Sequence, residues 1–289
     1  QRCGKLIIGQ RNQGGELEKL YQKASANGVP GIVKINKQLI AEMEPEINAE
    51  SALFVGCTGI ISAHELMSAF FNISQSMDHD YLFKSRVADS EPINDGYEIT
   101  IENPRGEIET VTSEWVINAG GLQSDLIARM LGNDIKIPEL SYLKGCYFKL
   151  SSKWRNRFKH LVYPIPDKEH DSLGIHLSFD QSGNVKLGPS AHWLENRTEN
   201  YSVDDKLLGL FHHDAAQYIK GLEKSDLSPD YAGIRPKIQT ADGTFSDFYI
   251  SHEREKGFPG WINLVGIDSP GLTAAIAIGE EVAKWIHIG

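Results

Sequence analysis

A histidine within a short alternating stretch could act as a base. In LGIHLS, residues 173–178, the alternation of a strand places His176 on the face of Gly174 and Ser178, opposite the apolar side chains. An imidazole can accept a hydroxyl proton near neutral pH. This stretch therefore predicts either a catalytic base or a structural histidine held by hydrogen bonds.

An arginine lies within the apolar strand sequence AGIRPK, residues 232–237. In such a strand the guanidinium of Arg235 must either reach solvent or bind an anion. Its forked donors match the two oxygens of a carboxylate. Arg235 is therefore a candidate carboxylate-binding residue, and a structural ion pair is the alternative.

The stretch GIDSPGLT, residues 266–273, joins a buried strand to the start of a helix. Ser269 is a good N-cap and Pro270 a good first helical residue. The free amides of a helix start favour negative charge, such as a phosphate, a carboxylate or the N1 and C2 carbonyl edge of a reduced flavin. An ordinary strand-to-helix turn is the alternative.

Small residues also follow a second apolar strand, in NAGGLQS, residues 118–124. They would let a ligand or another backbone approach closely, although a plain tight turn explains them equally well. Neither a GxGxxG after a strand nor a GxxxxGK[ST] occurs in the sequence. The motifs present therefore do not include a complete dinucleotide fingerprint.

The composition describes an acidic globular protein. With 289 residues, the chain is long enough for two domains or for one domain with a large insertion. It has 39 Asp and Glu residues against 29 Lys and Arg residues, a formal net charge of −10. This excess argues against non-specific binding of nucleic acid, which needs a basic surface. An acidic small-molecule substrate remains possible through a local cationic pocket.

The cysteines and the apolar stretches restrict the class of protein further. Cys3, Cys57 and Cys146 are far apart and form no CxxC pair, which favours a reducing compartment and predicts no metal site. Pro259 to Gly279 is sparsely charged, but a Pro-Gly pair splits it into a strand and an amphipathic helix, so we expect no membrane span. The first residues lack an initiating Met and a signal-peptide core, so we expect the chain to be cut at its start.

The periodicity predicts an α/β layer interrupted by an antiparallel sheet. The outer parts of the chain predict strands at 5–8, 53–55, 97–101, 108–111, 115–118 and 261–267, and helices at 16–26, 37–43, from 62 onward, 124–131 and 272–286. The middle predicts strands at 142–150, 173–179, 184–188, 231–239 and 245–250, with one helix near 204–220. The turn DQSG, residues 180–183, joins two of these strands into a hairpin.

Eight segments resemble the L-2-hydroxyglutarate dehydrogenase family, a group of FAD-dependent enzymes related to D-amino-acid oxidase. In chain order they are CGKLI (3–7), MEPE (43–46), TGI (58–60), LVYPIPD (161–167), LGIHLS (173–178), LGPS (187–190), AGIRPK (232–237) and SPGLTAAIAIG (269–279). The resemblance extends from the first residue to the last helix in the order of the family.

This resemblance implies an α/β fold, α+β overall, made of an incomplete FAD-binding Rossmann-like domain and an antiparallel-sheet substrate domain. We predict the substrate domain at 1–60 and 135–252. The remainder of the FAD-binding domain is predicted at 61–134 and 253–289. The strand, GxGxxG loop and helix with which the family begins are not part of this chain.

The resemblance also implies a reaction, the oxidation of L-2-hydroxyglutarate to 2-oxoglutarate by hydride transfer to FAD, with an unknown electron acceptor. His176 would be the base and Arg235 would bind a substrate carboxylate. Lys144, where the family usually has Arg, and Tyr163 would complete the substrate site. The predicted FAD contacts are Ala119, Gly120, Gly121, Gly271, Leu272 and Thr273.

Two alternatives remain open. An amine-oxidising relative, similar to glycine oxidase or D-amino-acid oxidase, would share the helix start and the arginine, whereas LGIHLS and LVYPIPD favour the hydroxy acid. The second alternative is an inactive fragment that does not retain FAD. The resemblance implies mitochondria for a eukaryotic source and otherwise the cytoplasm. We expect no nucleic-acid partner and no bound metal.

Overall fold

The computed structural model describes residues 1–132, 135–165, 174–238 and 246–287. Within these ranges the strands are β1 (Lys5–Gly9), β2 (Ile32–Asn36), β3 (Ser51–Val55), β4 (Arg86–Ile93), β5 (Gly96–Glu102), β6 (Ile108–Ser113), β7 (Val116–Asn118), β8 (Leu140–Leu150), β9 (Leu161–Pro164), β10 (His176–Phe179), β11 (Val185–Gly188), β12 (His192–Trp193), β13 (Leu227–Ile238), β14 (Tyr249–His252) and β15 (Trp261–Val265). The helices are α1 (Gly14–Ala26), α2 (Lys37–Met43), α3 (Ala63–Gln75), α4 (Ser124–Arg129), α5 (Leu208–Ala216) and α6 (Gly271–His287).

The chain divides into two compact units. The first comprises 1–79, 144–192 and 200–233, and the second comprises 80–143, 193–199 and 234–289. Strands β8, β12 and β13 each contain residues of both units. The assignment of one unit to the substrate and the other to the cofactor stays a prediction. The same holds for the predicted substrate domain, 1–60 and 135–252, and for the predicted FAD-binding domain, 61–134 and 253–289.

The first unit is built on a mixed sheet. Its strands lie in the order β8-β11-β10-β9-β1-β3-β2, with β12 and β13 also paired to β8. Neighbouring strands in this order are antiparallel except β1 and β9, which are parallel. The α/β class predicted from the sequence is confirmed, but this sheet is not purely antiparallel. A parallel pair needs a long crossover, and about 150 residues separate β1 from β9, so no local pattern predicts it.

One face of this sheet is closed by a single hydrophobic core. Leu6, Val162 and Leu177, from the central strands, are fully buried and pack with Phe148 and with Phe211 of α5. Because side chains alternate along a strand, the residues between these positions lie on the opposite face. That second face carries the polar and aromatic residues described below.

The second unit contains two small sheets. Strands β4, β5 and β6 form an antiparallel meander, and β15 lies between β14, which is antiparallel to it, and β7, which is parallel. Trp261 of β15 is fully buried and packs against Tyr97 of β5 with ring centres 5.0 Å apart. This arrangement brings the carboxyl ends of β7 and β15 to the same edge.

Most of the predicted elements are present, with differences at their ends. The hairpin of β10 and β11 and the helix α6 are confirmed. The helix predicted near 204–220 is shorter, because a 3₁₀ turn at Asp205–Leu207 precedes α5. Strands β2, β4, β9 and β12 were not predicted. Leu173, Pro166 and Asp167, which belong to the motifs above, lie outside the described residues.

Across the described ranges, no helix has the length and the apolar content that a membrane crossing requires. The sparsely charged stretch from Pro259 to Gly279 contains β15 and the first half of α6, as its sequence predicted.

Candidate active site

His176 is the first residue of β10 and lies inside the sheet of the first unit. It pairs with Gly188 of β11 on one side, and the register of β9 places Tyr163 beside it on the other. The residue is only 9% exposed. Its imidazole stacks on the phenol ring of Tyr163, with ring centres 3.8 Å apart and an angle of 10° between the planes. The structure therefore brings together two of the predicted site residues.

A glycine opposite His176 allows a third ring to reach this face. A Cβ atom at Gly188 would lie 2.7 Å from Cδ1 of Tyr147 and 2.8 Å from the carbonyl oxygen of Cys146, and the φ of Gly188 is +138°. Only glycine fits both the conformation and the space. Tyr147 in turn stacks on Tyr231, with ring centres 4.6 Å apart. The face around His176 is therefore largely aromatic.

Lys5 adds a positive charge to the same face. It lies in β1 between β3 and β9, and Ile7, two residues further along, pairs with Tyr163. The Lys5 ammonium lies 5.2 Å from the centre of the Tyr163 ring. Burial lowers the pKa of Lys5, an effect that the neighbouring Cys57 thiol partly opposes. Burial also raises the pKa of the Tyr163 phenol.

Sequence reasoning did not assign a role to Lys5. The sequence feature that could have indicated a role is a lysine at the start of the apolar run KLII. Burying an ammonium in a strand is costly unless an anion or a hydrogen-bond acceptor binds it. The same pattern is equally typical of a strand whose first residue, here Lys5, is exposed to solvent. The burial of Lys5 follows from the parallel pairing with β9, which no local pattern predicts.

The predicted substrate residue Lys144 lies elsewhere on the sheet of the first unit. It is buried in β8, and strand alternation places it on the face of Cys146 and Phe148, which belong to the hydrophobic core. Tyr147, beside Gly188, lies on the opposite face. Strand alternation therefore assigns Lys144 to the face opposite His176, and its role in substrate binding stays a prediction.

In the second unit, an apolar groove of about 570 Å³ lies along α6 and the ends of β7 and β15. Three of the predicted cofactor residues line it: Ala119, Gly121 and Gly271. The remaining lining residues come from the two strands, from the turn after β15 and from α6, and they are Ile117, Leu264, Ile267, Ala275, Ile278, Gly279, Val282, Ala283 and Ile286. The groove thus joins the two turns that the sequence singled out separately.

A buried polar network holds the turn after β7 in place. The side-chain carbonyl of Asn118 accepts the amide of Gly120 at 3.1 Å, and its amide group donates to the carbonyl of Ser124 at 2.7 Å and to Asn263 at 2.8 Å. Asn263 in turn donates to the buried carboxylate of Glu253 at 3.0 Å. Gly120 packs beneath the turn, since a Cβ there would lie 2.5 Å from Cδ1 of Ile127.

The helix start before α6 differs from its prediction by one residue. The carbonyl of Pro270, not that of Ser269, accepts the first helical hydrogen bond, from Ala274 at 3.1 Å, so Pro270 takes the N-cap position. The amide of Gly271 donates to the carbonyl of Asp268. Within the first helical turn, Leu272 and Thr273 keep amides that have no partner inside the helix.

Arg235 forms an ion pair, as the alternative interpretation of its strand allowed. Its Nε and Nη2 lie 3.0 and 2.9 Å from Oδ2 of Asp268, and Nζ of Lys237 lies 3.3 Å from the same oxygen. The Asp268 side chain is 5% exposed, whereas those of Arg235 and Lys237 are 24% and 22% exposed. Two cations therefore share one carboxylate directly before α6, and both keep partial access to solvent.

Comparison with known proteins places the chain in a family. The family described as FAD dependent oxidoreductase matches residues 1–285. This chain therefore belongs to the FAD dependent oxidoreductases. Its α/β fold with a mixed main sheet agrees with that family, and FAD is the cofactor of the family.

Individual relatives differ in the names they carry. The chain is 30% identical to the mitochondrial L-2-hydroxyglutarate dehydrogenase of Arabidopsis thaliana, over 98% of this chain and 66% of that protein. It is 28% identical to glycerol 3-phosphate dehydrogenase of Caloramator mitchellensis, over 98% and 56%. Its fold matches the FAD-bound L-alpha-glycerophosphate oxidase of Mycoplasma pneumoniae, with a TM-score of 0.83 at 21% identity, over 99% and 73%. The chain thus spans about two thirds or less of these two curated relatives.

The groove of the second unit fits part of FAD. Its apolar walls suit the flat ring system of a flavin, and its volume lies within the range of small-molecule sites. The small residues Ala119 and Gly121 let a ring approach the backbone, and the amides of Leu272 and Thr273 suit the negative edge of a reduced flavin. Ala119, Gly121 and Gly271 therefore line a groove that a flavin ring would fit, and the roles of the six predicted cofactor residues stay a prediction.

Proposed function

We propose that this protein oxidises L-2-hydroxyglutarate to 2-oxoglutarate. The observation that carries the proposal is the buried imidazole of His176, stacked on Tyr163 on a sheet face that also holds the ammonium of Lys5. A base beside a cation suits a substrate that combines a hydroxyl group with carboxylates. The Arabidopsis relative, named for this activity, supports the same substrate.

The reaction removes a hydride and a proton from the substrate. Bound FAD supplies the two-electron acceptor for the hydride that leaves C2. His176 accepts the hydroxyl proton as the carbonyl group of 2-oxoglutarate forms, so that charge and atoms balance. Stacking on Tyr163 limits the rotation of the imidazole and keeps its nitrogen atoms aligned for this transfer.

The remaining residues bind and orient. Arg235 is proposed to bind the C1 carboxylate with its exposed guanidinium edge, while Asp268 fixes the orientation of the guanidinium. Ala119, Gly120 and Gly121 with Gly271, Leu272 and Thr273 are proposed to hold the flavin ring. Tyr163, and on the resemblance Lys144, are proposed as substrate contacts. For a eukaryotic source we propose a mitochondrial location.

Glycerol 3-phosphate is the second candidate substrate. The Caloramator relative carries that name and matches 98% of this chain, and a cation such as Lys5 would also attract a phosphate. An amino acid is a third candidate, since an amine substrate would need the same carboxylate-binding arginine. Both candidates are tested together with the proposed substrate.

A substrate panel tests the proposal. The purified protein is supplied with FAD and an artificial dye as electron acceptor, and turnover is measured with L-2-hydroxyglutarate, its D enantiomer, glycerol 3-phosphate, glycine and D-alanine. We expect turnover with L-2-hydroxyglutarate and formation of 2-oxoglutarate in equal amount to reduced dye. Faster turnover of glycerol 3-phosphate or of an amino acid would contradict the proposal.

A further inference from the structure

We propose that Lys5 binds the distal C5 carboxylate of the substrate and so selects a diacid over a monoacid. This inference rests on the proposed function, because it assumes a 2-hydroxy acid with its hydroxyl group at His176. It concerns a residue to which neither the family resemblance nor the relatives assign a role.

The first observation that supports this role is that no described anion pairs with the Lys5 ammonium. Lys5 is half-buried in a central strand, and among the described residues no carboxylate forms an ion pair with its ammonium. Its near neighbours are the ring of Tyr163 and the thiol of Cys57, neither of which neutralises it. A half-buried ammonium without an anion is costly, so an anionic ligand would recover much of its lost hydration.

The second support is distance. The Lys5 ammonium lies 5.2 Å from the centre of the Tyr163 ring, and that centre lies 3.8 Å from the centre of the imidazole, so the two end points are at most 9.0 Å apart. In an extended C5 diacid, three carbon–carbon bonds separate C2 from the distal carboxylate carbon, a span of about 4 Å. One hydrogen bond of about 2.8 Å at each end brings the fully extended length to about 9.6 Å, so the diacid would bridge the two groups in a bent rather than a fully extended arrangement.

Other cations of the first unit are less suitable. Lys186 contacts Tyr231 on this aromatic face, but it pairs with Asp230 at 3.8 Å. Lys144 lies on the core face of β8. Lys149, also in β8, is exposed to solvent. Lys5 therefore lies beside Tyr163 and near His176, and no carboxylate among the described residues compensates its charge.

Binding measurements with matched ligands test the proposal. L-2-hydroxyglutarate is compared with L-2-hydroxypentanoate, which has the same chain length and a methyl group in place of the distal carboxylate. Affinities are measured by calorimetry for the unsubstituted protein, Lys5→Met, Lys5→Arg and the exposed control Lys149→Met. This readout needs no turnover, and thermal unfolding of each variant confirms folding.

We expect the unsubstituted protein to prefer the diacid and Lys5→Met to weaken its binding about 10- to 100-fold, which is the usual value of a charge-assisted hydrogen bond. Binding of L-2-hydroxypentanoate should change less than twofold, Lys5→Arg should restore part of the preference, and Lys149→Met should alter neither ligand. A melting temperature of Lys5→Met at or above that of the unsubstituted protein is also expected, because an uncompensated charge is removed.

Three results would overturn the inference. Equal weakening of both ligands would assign Lys5 to the C1 carboxylate or to the fold. A diacid preference that survives Lys5→Met would reject the role of Lys5 and leave the proposed function intact. If the unsubstituted protein shows no diacid preference, or binds glycerol 3-phosphate more tightly than either acid, both the inference and the proposed function fail.

Discussion

The imidazole of His176 lies flat against the phenol ring of Tyr163, with ring centres 3.8 Å apart. The two residues are neighbours across β9 and β10 because Val162 and Leu177, one position further along, form a register pair whose side chains enter the core. Burial of Val162 and Leu177 therefore fixes the register of β9 and β10, and this register brings the rings of Tyr163 and His176 together. A polar pair on the open face is positioned by an apolar pair on the buried face.

Replacement of this histidine separates a catalytic role from a structural one. We expect His176→Gln to lower kcat for L-2-hydroxyglutarate by about 10²- to 10⁴-fold, the usual contribution of a general base, with KM changed less than about threefold. Tyr163→Phe keeps the stack and serves as the control, with kcat reduced only modestly. If kcat of His176→Gln stays within about threefold and only the melting temperature falls, the histidine is structural.

The glycine opposite His176 predicts a stability effect. Gly188→Ala places a Cβ against the ring of Tyr147 and the carbonyl of Cys146 at a φ of +138°, which should lower the free energy of unfolding by about 1–3 kcal/mol. Gly209→Ala in α5 is the matched control, since its Cβ would meet no atom within 4 Å, and it should stabilise by about 0.5–1 kcal/mol. Denaturant unfolding of both variants provides the comparison, and an unaffected Gly188→Ala would disprove the packing argument.

The shared carboxylate of Asp268 allows the role of Arg235 to be tested. Arg235→Lys keeps a cation for Asp268 but loses the fork that matches a carboxylate, so we expect KM for L-2-hydroxyglutarate to rise about tenfold. The free energy of unfolding should change by less than about 1 kcal/mol, because an ion pair remains. Lys237→Met, at the same Asp268 oxygen, should leave KM nearly unchanged. An unchanged KM in Arg235→Lys would restrict Arg235 to the structural ion pair.

A histidine in the second unit predicts a loss of stability in acid. Nε2 of His252 accepts a hydrogen bond from the amide of Gly260 at 3.1 Å, which requires a neutral ring. The pKa of His252 is lowered from its ordinary value of 6.5, mainly by burial and also by the positive charge of Arg254. The negative charge of Glu253 opposes this shift. The unfolded chain therefore takes up this proton at higher pH than the folded chain, so stability falls as the pH falls below about 6.5.

We expect His252→Gln to lose part of this pH dependence, as measured by the free energy of unfolding between pH 7 and pH 5. The rings of Trp115 and Trp285 also contact His252, and a glutamine retains an acceptor for Gly260. His213→Gln, at an exposed position of α5, is the control and should keep the full dependence. Identical slopes for the two variants would contradict the assignment.

Local sequence patterns predicted the parts of the site that depend on one element. Alternation in LGIHLS placed His176 away from the apolar side chains, and the strand-to-helix pattern at residues 266–273 predicted the start of α6 to within one residue. The small residues of the turn after β7 predicted either a close approach or a tight turn, and two of them, Ala119 and Gly121, line the groove beside Gly271. These features follow from side-chain type and spacing within a few residues.

Contacts between distant segments were beyond such patterns. The pairing of β1 with β9 puts Lys5 beside Tyr163, although more than 150 residues separate them, and no periodicity encodes that partner. The Arg235 strand predicted either solvent access or a bound anion, and it could not distinguish Asp268 from a ligand. Charge compensation depends on which strands meet, and that is settled by the packing of the whole core.

The most direct test of the central claim is reduction of the bound flavin by the proposed substrate. The protein, loaded with FAD and kept free of oxygen, is mixed with L-2-hydroxyglutarate while the flavin absorbance near ~450 nm is followed. We expect bleaching by L-2-hydroxyglutarate, accompanied by an equal amount of 2-oxoglutarate, and bleaching at least about 100-fold slower in His176→Gln. Bleaching by glycerol 3-phosphate, glycine or D-alanine, with none by L-2-hydroxyglutarate, would contradict it.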